Sequence, residues 1–101
     1  MASRLKLHSI LLKVIGNENV YFDPPTNKIL SFPCIKYNRE TIDIKRADNT
    51  VYMKRNKYNI TVIGAYGTDD TVSELLQLPY CTCNREYTVN GLTHTVLTIF
   101  F

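Results

Sequence analysis

Three thiols and one imidazole are the side chains that come closest to forming a metal site in this chain. A structural zinc site needs four soft ligands at workable spacing, and Cys34, Cys81 and Cys83 with a distant His94 make a poor set. The odd number of cysteines favours reduced thiols in a cytoplasmic setting. We therefore predict no metal site and interpret the thiols as buried structural residues, because free cysteine is among the most buried residue types.

Candidates for nucleophilic or acid–base catalysis are equally sparse. A pair formed by Cys83 and His94 would depend on strand register alone, and a histidine beside Tyr87 in a hairpin is ordinary. The adjacent carboxylates Asp69 and Asp70 are explained by helix capping. The four glycines have no spacing that would cradle a phosphate, so no nucleotide cofactor is expected. The sequence thus predicts a protein without catalytic residues or cofactors, and not an enzyme.

Positive charge is concentrated in the middle of the chain. The net charge is +3, yet the segment from Lys36 to Lys57 carries seven basic residues against three acidic ones. Such a segment could meet phosphate, an acidic partner surface or only water, and a solvated face is the commonest explanation. A small nucleic-acid-binding protein is the alternative from another functional class. It would use these basic residues with two tyrosines as stacking groups: Lys36, Arg39, Lys45, Arg46, Lys54, Arg55, Lys57, Tyr37 and Tyr52.

Length and composition indicate one ordinary globular domain spanning residues 1–101. With 45% hydrophobic and 21% charged residues, the chain can bury a single modest core. Lys6, His8 and Lys13 interrupt the apolar run near its start. We therefore expect neither a signal peptide nor a transmembrane helix.

The first half of the chain predicts a helix followed by short strands. Apolar residues recur at helical spacing over Ser3–Ile15, and Gly16 suits the helix end. Asn19–Asp23 precedes a proline pair, which is typical of an edge strand followed by a loop. Cys34–Asn38 alternates as a strand. Arg39–Thr50 combines two isoleucines with six charged residues, and there we expect a long loop or arm.

The second half predicts a central strand, a short helix and a hairpin. Lys57–Tyr66 alternates strong strand formers and should lie in the middle of a sheet. Thr68 and the two aspartates after it suit a helix start, and Pro79 ends the helix that Val72–Leu78 continues. The order predicts an α+β fold, with an antiparallel sheet of about four to five strands and both helices, N-terminal and short second, packed on one face.

The last quarter of the chain predicts a hairpin that turns at Asn90 and Gly91. A two-residue type I′ turn needs positive φ at both central positions, and these residues tolerate it. One mostly apolar face suits a core. Counting outward from the turn, it pairs Val89 with Leu92, Tyr87 with His94, Arg85 with Val96, Cys83 with Thr98 and Cys81 with Phe100. The other face is apolar toward Leu97, Ile99 and Phe101, so a helix of the same chain or another subunit should cover it.

Five segments follow one another in a recognisable order: NVYFDPP (19–25), FPCIKY (32–37), IDIKRADNTVY (42–52), YNITVI (58–63) and LPYCTCNREYTVNGLTHTVLTIFF (78–101). The most specific pieces are the element from Ala47 through Asp48 and Asn49 to Tyr52, and the ending, L-P-x-C-x-x-x-R-x-Y/F followed by N-x-L-x-H-x-V-x-T-I/L-Y/F-Y/F. With these segments the chain resembles the tail terminator, or tail-completion, proteins encoded among the head-to-tail joining genes of long-tailed bacteriophages.

That resemblance implies a structural virion protein without chemistry of its own. Subunits of this class form a ring, usually hexameric, that ends polymerisation of the tail tube and offers a surface to the head connector. The implied partners are other copies of the chain, the tail tube protein, the connector or stopper protein, and genome DNA passing through the lumen without sequence-specific binding. The implied location is the virion neck after assembly in the host cytoplasm, with no membrane partner. A neck or stopper protein bound to the connector is the alternative within this class.

A closed ring needs two different contact patches on each subunit. The charged middle segment and the apolar end of the hairpin are the candidates. The predicted inter-subunit or partner contacts are Arg39, Lys45, Arg46, Asp48, Asn49, Tyr52, Lys54, Arg55, Leu97, Ile99 and Phe101.

Overall fold

The computed structural model describes the backbone of residues 4–47, 50–65 and 69–101, and the side chains of 4–40, 56–65 and 69–101. Its elements are two helices and five strands. They run in the order α1 (Arg4–Ile15), β1 (Val20–Phe22), β2 (Cys34–Ala47), β3 (Thr50–Gly64), α2 (Asp69–Leu76), β4 (Cys81–Val89) and β5 (Leu92–Phe100).

The five strands form one mixed sheet in the order β1-β2-β3-β5-β4. All neighbouring pairs are antiparallel except β1 and β2, which are parallel. The α+β fold class is confirmed, and so are the edge position of β1 and the central position of β3. Ser3 and Thr68, which stand at the predicted starts of the two helices, lie outside the described residues.

Helix α1 ends where the sequence predicts it should. Gly16 adopts a φ of 77° and its N–H donates to the Leu12 carbonyl at 3.0 Å. Glycine occupies this left-handed conformation without the steric cost that a Cβ imposes. Leu7 and Leu11, one helical turn apart, are fully buried and direct this helix onto the sheet.

The core lies on one face of the sheet, beneath both helices. Strand register explains its composition, since residues that oppose each other across a ladder share a face. Ile60 of β3 is opposite Tyr37 of β2 and Leu97 of β5, and all three are buried. The full buried cluster is Leu7, Leu11, Val20, Ile35, Tyr37, Tyr58, Ile60, Val62, Leu75, Leu97 and Ile99. We call the opposite face of the sheet the outward face.

The terminal hairpin turns at the predicted residues. Asn90 and Gly91 have φ values of 52° and 75°, as a type I′ turn requires. The predicted register holds from the turn to Arg85 opposite Val96. Beyond that pair the ladder shifts by one residue, because Asn84 forms a bulge and its amide donates to the Thr98 hydroxyl at 2.5 Å.

The bulge makes two of the predicted pairings wrong. Cys83 is opposite Leu97 and Cys81 is opposite Ile99, not Thr98 and Phe100. Nothing in the alternation of β4 indicates the extra residue. A polar side chain that could bond across the ladder was the available signal.

The prediction of which hairpin face forms the core is also wrong. The face that carries Leu97 and Ile99 is the buried one, and the residues of β4 beside His94 point outward, with Tyr87 39% and Val89 48% exposed. The reason is that α1 and α2 cover the face that the sequence left apolar only near the chain end. Of the two expected covers, helices of the same chain occupy it.

The segment Arg39–Thr50, expected to be a long loop or arm, is an arm of regular structure. Strand β2 continues through it to Ala47, and β3 begins at Thr50. The irregular-loop interpretation is wrong because residues of β3 pair with Arg39 and with each residue from Thr41 to Ala47. The six charged residues of the segment made its strand alternation difficult to recognise in the sequence.

Candidate functional site

Strands β2 and β3 form a two-stranded arm that extends past the rest of the sheet. The ladder between β3 and β5 ends at Lys57 opposite Phe100. The ladder between β2 and β3 continues for six further residue pairs, from Ile42 opposite Asn56 to Ala47 opposite Thr50. At about 3.4 Å per residue the arm, residues 41–56, is roughly 20 Å long. The molecule measures 50 × 27 × 23 Å.

Two bulges shape the arm. Glu40 is an extra residue of β2 at the base, where the ladder passes from Arg39 to Thr41. Tyr52 is an extra residue of β3 near the tip, between the pairs made by Lys45 and Arg46. A bulge bends its strand and increases the local right-handed twist. Both ends of the arm thus carry a feature that favours bending and stronger twist.

The base of the arm combines an ion pair with a buried amide. Lys57 Nζ lies 3.6 Å from Glu40 Oε1, and both side chains are partly exposed. Asn56 is 5% exposed and its backbone carbonyl accepts the Phe101 N–H at 2.9 Å. Its side-chain Oδ1 has no hydrogen-bond partner in the described structure. A buried acceptor without a partner costs free energy, so this junction is less favourable than the core beside it.

The predicted contact residues fall into three groups. Arg39 is exposed at the base of the arm. Five others have their backbone in the arm: Lys45, Arg46, Tyr52, Lys54 and Arg55. Asp48 and Asn49 lie outside the described residues.

The remaining three predicted contacts lie at the end of the hairpin. Leu97 and Ile99 are 0% and 1% exposed, since the helices of the same chain cover them. They are not available to a neighbouring subunit. Phe101 is half-buried and packs against the core cluster. The available surface of the hairpin is instead its outward face, which strand alternation alone could not distinguish from the core face.

That outward face carries a stack of polar rings. The rings of Tyr87 and His94 are 4.9 Å apart and nearly parallel, and Arg85 lies over Tyr87 at 5.1 Å. Cys83 is paired with Leu97 and so belongs to the helix-covered face. A thiol–imidazole pair of Cys83 and His94 is therefore excluded by the sheet itself.

The three thiols differ in environment. Cys34 is buried, and this burial raises its pKa to about 11, so the thiol is protonated and inert at neutral pH. Burial, with a smaller contribution from Cys83, raises the pKa of Cys81. The prediction of buried structural thiols is confirmed for Cys34, and it is wrong for Cys83, which is exposed on the edge strand.

Tyr37, expected as a stacking group for nucleic acid, is part of the core. It is 2% exposed, and its hydroxyl lies 2.7 Å from His8 Nδ1 and 3.4 Å from an Arg4 guanidinium nitrogen. Arg4 donates to the hydroxyl, which leaves the hydroxyl proton for His8. Desolvation, then the charge of Arg4, lowers the pKa of His8. This cluster joins α1 to β2 and presents no aromatic surface.

The described residues contain neither a metal-binding cluster nor a membrane-spanning helix. No cluster of histidine, cysteine or carboxylate side chains there could hold a metal ion. Neither of the helices found there, of 12 and 8 residues, has the length and apolarity to cross a bilayer.

The chain was compared with known proteins. No protein-family model and no curated protein sequence matches it.

Proposed function

We propose that the protein is a structural virion subunit that forms a ring, hexameric by analogy, at the head-proximal end of a phage tail tube. There it would end tail polymerisation and join the tail to the head connector, with genome DNA passing through the lumen. The order of the five sequence segments supports the choice of this class. The single structural observation that carries the proposal is the arm, which leaves the sheet and pairs only with itself in the described ladders.

An arm of this kind favours contact with another chain. A two-stranded ribbon alone is marginally stable in water, and both of its edges present unpaired backbone groups. The sequence of 41–56 holds four basic and two acidic residues. A neighbouring chain with an acidic surface would balance the positive charge and could pair with the backbone groups at the edges. Such a contact would add stability that the arm lacks in the isolated subunit.

Ring closure requires a second, different patch on each subunit. The outward face of β4 and β5 fits this role in the proposal, because Arg85, Tyr87 and Val89 are exposed there on the edge strand of the sheet. Exposed tyrosine and arginine are the residue types that most often anchor interfaces. The arm of one subunit would thus meet a neighbour while this face meets the next subunit or the connector.

The first test is electron microscopy of lysates from a phage that lacks this gene. Tails of uncontrolled length beside filled, tailless heads are the expected result. Free tails of normal length beside leaking or tailless heads would place the protein on the head side, as a neck or stopper protein. Normal virions would overturn both assignments.

The second test replaces residues 43–55 with Asn-Gly, so that Ile42 and Asn56 flank a two-residue turn. The shortened chain should fold, with a cooperative urea unfolding transition, and should fail to complement the deletion. A charge variant of full length is the matched comparison: Lys45→Gln, Arg46→Gln, Lys54→Gln and Arg55→Gln. If the shortened chain restores normal tails, the arm has no role in assembly.

A further inference from the structure

A loop covers part of the outward face beside β2. Residues 23–33 leave β1 at Asp23, whose φ is 46° and whose N–H donates to the Tyr37 carbonyl at 2.7 Å. Lys28 N–H donates to the Pro25 carbonyl at 3.0 Å and closes a turn. Ser31 N–H donates to the Tyr21 hydroxyl at 3.3 Å. The first and third of these bonds attach the loop to β2 and β1 near its two ends, and the second closes a turn within it, so the loop forms a wall beside β2.

The floor below this wall is polar. Tyr37 and Ile60 point toward the helices, so the residues that alternate with them point outward. Lys36 is opposite Thr61, and Asn38 is opposite Asn59. Wall and floor line a half-open cleft of about 350 Å³, which is within the size of small-molecule sites.

The polar groups of the floor are unused. Among the described residues, four side chains of the floor form no hydrogen bond or ion pair within the protein: Lys36, Asn38, Asn59 and Thr61. By contrast, the amide of Asn84 on the same sheet bonds to Thr98. Four adjacent side chains therefore offer donors into one cleft.

The charge of the cleft is positive. Its lining contains two lysines, Lys28 and Lys36, and one carboxylate, Asp23. Lys28 Nζ lies 5.5 Å from the centre of the Tyr21 ring, and that ring is itself held by Ser31. Lys28 is exposed, and its ammonium lies within cation–π distance of this ring.

We propose that this cleft binds a small anionic molecule, through a carboxylate or phosphate group held between Lys28 and Lys36. The amides of Asn38 and Asn59 would bond to the polar part of the same ligand. Hydrogen bonds from ammonium groups to an anion are strong, and the single carboxylate of the lining, Asp23, leaves one positive charge in excess for the ligand. A small ligand fits better than a nucleic acid, because the cleft is walled by the loop instead of continuing as an open stripe. This inference does not depend on the proposed ring.

The test is a titration of the full chain, followed by amide nuclear magnetic resonance at constant ionic strength. The probes are inorganic phosphate, glycerol 2-phosphate and succinate, with glycerol as the uncharged control. Saturable shifts at the amides of Lys36, Asn38, Asn59 and Thr61 are expected with one anion class. If only the phosphates bind, the anionic group of the ligand is a phosphate. If only succinate binds, that group is a carboxylate.

Two variants that each remove one positive charge distinguish binding in the cleft from general electrostatic attraction of anions to the protein. Lys36→Gln should weaken binding at least about tenfold, the loss expected for one charge-assisted hydrogen bond. Lys13→Gln, on the exposed side of α1, should leave binding unchanged. Equal affinity of both variants, or no saturable shift with any anion, overturns the proposal. Tighter, Lys36-dependent binding of a short single-stranded oligonucleotide would also overturn it and favour a nucleic-acid surface.

Discussion

The helix-covered part of the sheet and the arm are continuous strands of the same ladder, yet different forces hold them. In the covered part, Ile60 is buried between Tyr37 and Leu97 and beneath two helices. In the arm, the same two strands continue with only each other as ladder partners in the described structure. Burial stabilises the first region, and the contacts described for the second are the backbone hydrogen bonds of one ladder.

The covered sheet and the arm show that regular secondary structure and stability are separate properties. A net hydrogen bond contributes about 1 kcal/mol, while full burial of an aliphatic side chain contributes roughly 1.5–3 kcal/mol. Burial therefore contributes most of the stability of the covered sheet. If the proposed function holds, the arm gains its stability from a neighbouring chain. The difference in stability between the covered sheet and the arm can be measured.

The largest effect is expected in the covered sheet. Ile60→Ala should lower the free energy of unfolding by about 3 kcal/mol, through lost burial and the cavity that remains. The matched control is Ile29→Ala, since Ile29 is 92% exposed in the loop after β1 and its truncation should change stability by less than about 0.5 kcal/mol. Urea unfolding of both variants measures the difference. Equal losses would show that the core has been misplaced.

Amide hydrogen exchange compares the two regions directly. The ladder amides of Ile60 and Leu97 should exchange only through global unfolding, whereas those in 43–46 should exchange at least about 100-fold faster in the isolated subunit. Protection of the arm should rise in the assembled particle. Equal protection in the free chain would mean that the arm belongs to the same cooperative unit as the sheet.

The same contrast explains which parts of the fold the sequence could predict. Helix α1, the central strand and the turn at Asn90 and Gly91 follow from periodicity and turn chemistry, which act locally. The bulge at Asn84 was not predicted, because strand alternation does not show it and the one signal, a polar side chain that bonds to Thr98, acts across the ladder. The core face of the hairpin also depended on where the helices pack. Alternation shows that two faces differ, and packing decides which one is covered.

The candidate site was predictable only in part. Composition placed positive charge in the middle of the chain, and the structure places the backbone of that segment in the arm. Leu97 and Ile99 were expected as contacts because their strand is apolar, and apolarity equally suits the core they occupy. Glu40 and Asn56 were not singled out, since neither a bulge nor a buried amide at an arm base has a local sequence signal.

Acid should weaken the link between α1 and the covered sheet. The pKa of His8 in the folded protein is lowered from its ordinary value of 6.5, so the unfolded chain binds the proton more readily. This contribution to stability is fully present above pH 6.5 and is lost as the pH falls through the folded-state pKa. His8→Gln should flatten that dependence in urea unfolding at a series of pH values.

Tyr37→Phe separates titration of His8 from loss of its hydrogen bond. This variant removes the hydroxyl that lies 2.7 Å from His8 and should cost about 1 kcal/mol, yet the imidazole and its acid dependence remain. An unchanged pH profile in His8→Gln would instead assign the acid sensitivity to other groups.

The buried amide at the boundary between the two regions should limit stability. Asn56→Leu removes the acceptor without a described partner and should raise the free energy of unfolding by about 1 kcal/mol. Asn59→Leu, three residues along the same strand on the outward face, is the matched control and should give a smaller change. Destabilisation by Asn56→Leu would show that its amide is satisfied by a group in the arm.

The smallest effect is expected at the ion pair that spans the base of the arm. Both Glu40 and Lys57 are partly exposed, so Glu40→Gln should cost less than about 0.5 kcal/mol, and the loss should disappear at high salt. Glu18→Gln, an exposed residue before β1, controls for the change in net charge. A larger and salt-independent loss would mean that Glu40 holds the bulge itself. The arm would then be anchored to the covered sheet by more than its ladder, and the contrast between the two regions would be weaker than the register implies.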